Sequence, residues 1–189
     1  MFNIVEHYTT LMKRVILPIL LLSITTFTSC KKLKELTQFD INYNTETTIQ
    51  AGVAAALPFD IFTPDVTTES QSEFQGHKTA SNLIQSIKLK KIILTITSPD
   101  GRQFDFLKDI EIYLSAGGEE EVLIASKYDI PETTGNALQL DPGTAELKNY
   151  LIKDKYKLRL KVTTRKVINQ DIKVNVGNTF KVDANILGL

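Results

Sequence analysis

The chain is 189 residues long, 42% hydrophobic and 23% charged, with 22 basic and 22 acidic side chains. Such a composition belongs to a globular protein rather than a disordered one, and zero net charge excludes the basic field that DNA or RNA binding requires. A single cysteine, Cys30, rules out an internal disulfide framework.

In chain order, the first pattern is a targeting one. Met12-Lys13-Arg14 sets two positive charges ahead of an apolar run over residues 15–22, and small or polar residues dominate 23–29 up to Cys30. That is the three-part layout of an export signal. As a helix, residues 15–28 would span only about 21 Å, short of the ~30 Å hydrocarbon core. Phe27-Thr28-Ser29-Cys30 resembles the lipobox of bacterial lipoproteins, with Phe27 in the place usually taken by Leu. The resemblance covers residues 12–30 and is of the kind found in β-rich Bacteroidota-type lipoproteins. It implies removal of residues 1–29, a diacylglyceryl group on Cys30, and a chain held at a membrane by lipid. Two or more acyl chains anchor stably where one is marginal. Glu6 and His7 precede the basic pair, so Met12 reads as a better start than Met1. After the cysteine comes Lys31-Lys32-Leu33-Lys34. By the sorting rule of this class, a residue other than Asp there implies the outer membrane. A basic rather than acidic stretch implies the leaflet facing the periplasm rather than the cell surface.

Residues 30–35 then form a short lipidated tether and residues 36–189 a folded domain. Lys13, Arg14 and Glu6 leave with the signal, so the remainder has a net charge of −1. Phe39, Ile41 and Tyr43 alternate with polar residues, and Thr45, Thr47 and Ile49 continue the period of two, which predicts a strand. Pro58 and Pro64 mark an irregular or edge segment. Residues 65–74 could form a polar strand. A short helix is expected over 79–86, with Leu83, Ile84 and Ile87 inward. Ile87 and Leu89 share one face, and Ile92, Leu94 and Ile96 share a face after a one-residue slip at Lys90-Lys91. A slip would flip the core face, so a β-bulge is expected there.

Ser98-Pro99-Asp100-Gly101 predicts a turn, and Phe104 and Phe106 a strand over 103–106. Ile110, Ile112 and Leu114 alternate with polar residues, and Gly117-Gly118 turns the chain into a hairpin partner over 122–126. Asp141-Pro142-Gly143-Thr144 predicts a helix start capped by Asp141 or Thr144, with Leu147, Tyr150 and Leu151 inward. Tyr156, Leu158, Leu160 and Val162 form the next strand, then Ile172, Val174 and Val176, with Gly177-Asn178 read as a turn into Phe180, Val182 and Ala184. Clean alternation with few helices predicts an all-β antiparallel sandwich, Ig-like or another Greek key. A closed lipocalin-like barrel is the alternative.

Chemistry-bearing residues are sparse. His77 is the one histidine after the signal, so no His and Cys cluster exists for a transition metal. Nor does a Gly-x-Ser-x-Gly motif or a phosphate-binding glycine loop accompany it. Asp100, Asp105, Asp109 and Glu111 lie near one strand pair, and Glu119-Glu120-Glu121 fill a turn. Paired carboxylates could hydrolyse a sugar or bind Ca²⁺, but no Asp-x-Asp-x-Asp-Gly loop and no tryptophan support either. Lys157, Arg159 and Lys161 share a strand face, read as a wet face, a lysine-protected edge strand, or a surface for an anionic partner. No catalytic residue, metal or cofactor is implied. The expected role is a non-enzymatic binding or assembly module with an envelope protein partner, its membrane contact made through acylated Cys30. A carrier of an apolar ligand or lipid is the second reading.

Overall fold

Strict alternation builds the long strands, and each one buries its apolar phase. The computed structural model describes residues 37–185, which from Gln38 onward belong to a unit running Gln38–Leu189. The lipobox, Cys30, Met12 and the lysines that follow Cys30 lie outside the described residues. The strands are β1 Gln38–Ile49, β2 Pro58–Phe62, β3 Val66–Thr67, β4 Ile84–Ser98, β5 Leu107–Ala116, β6 Val122–Lys127, β7 Ala137–Gln139, β8 Asp141–Pro142, β9 Lys155–Thr164 and β10 Ile172–Ala184. Two short helices, α1 Ser70–Gly76 and α2 Lys148–Leu151, interrupt them.

Pairing is nested: β1 with β10, β2 with β9, β4 with β7, β5 with β6, all antiparallel. The chain thus pairs like one long hairpin whose tip is the β5–β6 turn. It is rolled so that alternate rungs fall in opposite sheets. Pairing of β4 with β10 and of β5 with β9 completes the sheets β1-β10-β4-β7 and β2-β9-β5-β6-β8, with β3 also beside β9. This order is a jelly roll, a double Greek key. The antiparallel sandwich expected from alternation is therefore present. Its two separate sheets set aside the closed barrel, and of the two Greek-key alternatives the jelly-roll order selects the one that is not Ig-like. Ile92, Ile112, Leu158 and Phe180 are among the fully buried residues between the sheets. Each such side chain contributes roughly 1.5–3 kcal/mol by leaving water.

One flank of the sandwich is closed by covalent chain. Leu138 in β7 pairs with Leu94, Pro142 in β8 pairs with Ala125, and buried Leu140 crosses between the sheets. The other flank is the β1/β2 side, where the Thr47 hydroxyl donates to Phe62 O (3.0 Å) and the Tyr43 hydroxyl to Thr68 O. β2 is an edge strand, as Pro58 at its start requires.

The bulge at Lys90 is present: Leu89 faces Phe180 and Lys91 faces Thr179, leaving Lys90 unpaired in the ladder. Several local expectations are corrected. Residues 65–74 are not a strand; after β3 the chain turns through Glu69 (φ 45°) into α1, which buries Ser70 and Phe74 at helical spacing. Residues 79–86 contain only a 3-10 turn, Ser81–Leu83, because Ile84 already belongs to β4. Phe104–Phe106 is a 3-10 turn rather than a strand, and both rings are fully buried. Asp141–Pro142 bridges to β6, so neither Asp141 nor Thr144 caps a helix. Gly177 and Asn178 make no turn: β10 runs straight through them, and Asn178 is buried in phase with Val176 and Phe180.

Candidate functional site

β9 lies inside the larger sheet, between β2 and β5, and turns Lys157, Arg159 and Lys161 outward. Register fixes their neighbours. Phe62 pairs with Arg159, Arg159 with Tyr113, and Tyr113 with Leu123, giving a straight row across four strands. Facing side chains in such a row touch directly. The Arg159 guanidinium lies 4.2 Å above the centre of the Tyr113 ring, a cation–π contact. Its Nη1 donates to Asp60 Oδ1 at 2.7 Å and its Nε to Glu121 Oε1 at 3.0 Å. Planar Arg is suited to meeting an aromatic face and two carboxylates together.

The next row is Asp60, Lys161, Glu111 and Ser126. Glu111 accepts from the Tyr128 hydroxyl at 2.6 Å, the Tyr113 hydroxyl at 2.9 Å and Lys161 Nζ at 3.1 Å. The Tyr128 hydrogen bond holds the Glu111 carboxyl below its ordinary range against a weaker opposing effect of burial, with Tyr113 and Lys161 assisting. Burial, then the bond to Glu111, raises Tyr113; the Glu111 bond itself raises Tyr128. The bond to Glu121 leads in raising Arg159. Large apolar side chains stand free at both ends of the first row: Phe62 is 59% exposed and Leu123 40%.

Of the residues singled out in the sequence, Glu111, Glu121, Arg159 and Lys161 converge on this face, and the others do not. His77 sits past the end of α1, exposed, its ring stacked on Phe39 at 3.8 Å. Asp105 pairs with Lys166 (3.2 Å), Asp109 accepts the Asp129 N–H (2.9 Å), and Glu119 pairs with Lys153 (3.4 Å). Asp100 is exposed in its turn, and Glu120 contributes a backbone carbonyl to the Tyr150 hydroxyl (2.7 Å). Among the described residues no group of three or more His, Cys, Asp or Glu side chains could hold a metal ion. Lys157, Arg159 and Lys161 do belong together, but not on an edge strand. Each meets a carboxylate across the sheet, Lys157 pairing with Asp65 at 3.4 Å. Sequence reasoning missed Phe62, Leu123 and Tyr113. A usable signal existed at Phe62, an apolar residue out of phase with Phe59 and Ile61.

No family model matches the chain, and no curated protein does. Among solved structures, a chain of turnip yellow mosaic virus is similar at 11% identity and TM-score 0.27, covering 80% of this chain and 96% of that one. Desmodium yellow mottle tymovirus is similar at 12% identity and TM-score 0.27, covering 80% and 85%. Empty-head turnip yellow mosaic virus is similar at 11% and TM-score 0.29, covering 79% and 82%. Similarity this low says nothing of what the chain does.

Proposed function

We propose that this chain is an outer-membrane lipoprotein, anchored through acylated Cys30 on the periplasmic side, whose jelly roll is a non-enzymatic binding and assembly module for an envelope protein. The signal pattern over residues 12–30 supports the anchor. One observation carries the module: exposed Phe62 and Leu123 flank Arg159 stacked on Tyr113 in a single row. Aromatic and Arg side chains are the groups that protein interfaces concentrate. Asp60, Glu121 and Glu111 already match the cations of this face. The partner therefore brings an apolar or aromatic patch rather than counter-charge, and added salt weakens the complex little.

Crosslinking in intact envelopes, with mass spectrometry of the purified full chain, tests both halves. The expected products are an N-terminal peptide beginning at lipid-modified Cys30 and crosslinks from the surroundings of Phe62 and Leu123 to one envelope protein. Phe62→Ser with Leu123→Ser should lose that protein while each changes stability by less than about 0.5 kcal/mol. Retention of residues 1–29, or a Cys30→Ser variant embedded as firmly as the natural chain, overturns the anchor. Unchanged capture by the double variant overturns the docking face.

A further inference from the structure

The opposite outer face, on the four-stranded sheet, carries a depression whose reading does not depend on lipidation or on the row at Arg159. Register again builds it. Asn42, Thr179 and Lys91 form one row, Asn44, Gly177 and Ile93 the next, and Glu46, Asn175 and Thr95 the third. The centre of this three-by-three grid is the one position without a side chain. The result is a depression of about 410 Å³ walled by amides and hydroxyls, within the usual size range of small-ligand sites.

The fold itself does not ask for glycine there. Gly177 has no positive φ, unlike Gly52, Gly101 and Gly118. Its Cα faces away from the core, which its neighbours Val176 and Asn178 fill. An added Cβ would meet Asn44 Oδ1 at 3.0 Å, but that side chain is exposed and free to swing. Glycine inside a strand weakens it and marks places where something approaches the backbone closely.

The walls indicate what approaches. The carboxamide oxygens of Asn44 and Asn175 lie 3.0 and 3.9 Å from that same point. Neither amide has a side-chain hydrogen bond among the described residues, whereas Asn42 is already engaged by the Thr179 hydroxyl at 2.7 Å. Each carboxamide presents an acceptor beside two donors, which suits adjacent hydroxyls that both give and take hydrogen bonds. Lys91 adds an ammonium with no ion-pair partner among the described residues, while Glu46 is turned to Lys173 at 3.8 Å. Half-buried Ile93 offers an apolar patch for a ring face. We propose that this face binds a saccharide, one pyranose unit seated over Gly177 with its vicinal hydroxyls on Asn44 and Asn175. Without an aromatic platform in the grid, affinity rests on hydrogen bonds and is weak.

The test is an array of neutral and uronate-containing oligosaccharides probed with the full chain in detergent, followed by calorimetry on the binders. Gly177→Val, which fills the depression, and Asn44→Ala, on an exposed side chain, should each weaken binding about tenfold, the equivalent of one or two hydrogen bonds. Lys91→Ala should weaken uronates alone. Gly177→Ala should unfold no earlier than the natural chain on heating. The proposal is overturned if no saccharide binds the natural chain, or if Asn44→Ala binds as well as it does.

Discussion

Glu146→Ala removes one carboxylate that holds three donors. Its Oε1 accepts from the Ile87 N–H at 2.8 Å and the Lys148 N–H at 3.0 Å, and its Oε2 from the Ser86 hydroxyl at 2.6 Å. In return the Leu147 N–H donates to Ile87 O at 2.8 Å, so residues 146 and 147 clasp Ile87 through both its backbone groups. Ser86 and Lys148 can turn to water in the variant. Ile87 is fully buried, and a buried donor left unsatisfied costs about 1–3 kcal/mol. Glu146 is itself exposed, so its charge adds little beyond that. The expected loss is about 1–3 kcal/mol, and each kcal/mol lowers Tm by about 2–4 °C in a domain of this size.

Acid supplies a second reading of the same contact. Burial acts to raise the Glu146 carboxyl, but hydrogen bonds from Ser86, Ile87 and Lys148 outweigh it and hold the group below its ordinary 4.5. A folded pKa below the unfolded one means stability that is present above the ordinary value and lost as pH falls through the folded one. The gap between the natural chain and Glu146→Ala should therefore narrow on acidification below pH 4.5. Urea unfolding at neutral and acid pH measures both effects. A variant within about 0.5 kcal/mol of the natural chain at neutral pH, or a gap that ignores acid, would refute the clasp.

Tyr43→Phe deletes the hydroxyl that reaches Thr68 O, a carbonyl on a fully buried residue. It should lose about 1–2 kcal/mol with an unchanged urea slope; no loss would place that carbonyl in water. Deleting Lys90 leaves Leu89 beside Lys91, so both halves of β4 keep their core faces, whereas deleting Thr95 puts buried Leu94 and Ile96 on opposite faces. Far-ultraviolet dichroism and amide spectral dispersion should show a folded first deletion and an unfolded second. Equal behaviour of the two would contradict the bulge assignment.

Alternation made β1, β4, β5, β9 and most of β10 legible, because a half-buried strand must repeat every two residues. Even the slip at Lys90 could be read, since a strand that changes phase without a turn signal needs an extra residue. Where the physics is local but ambiguous, reading failed. Phe104 and Phe106 are both buried, which alternation assigns to a strand and a 3-10 turn achieves equally well. Gly177-Asn178 is a turn pair by composition, yet tertiary pairing with β1 and β4 on both sides holds it extended.

By itself the sequence determined the all-β class and the phase of each long strand, and it carries a pattern ending at Cys30 that resembles an export signal. Those depend on neighbours within a few residues, which a linear reading contains. Beyond the β5–β6 hairpin, tertiary structure alone decided which strands sit side by side. Phe62, Tyr113 and Arg159 lie far apart in the chain, and only the rolling of a long hairpin sets them in one row, which Leu123 joins through the local β5–β6 hairpin. Asn44, Gly177 and Ile93 meet for the same reason. Surface sites on a sheet are written across strands, perpendicular to the direction in which the sequence runs.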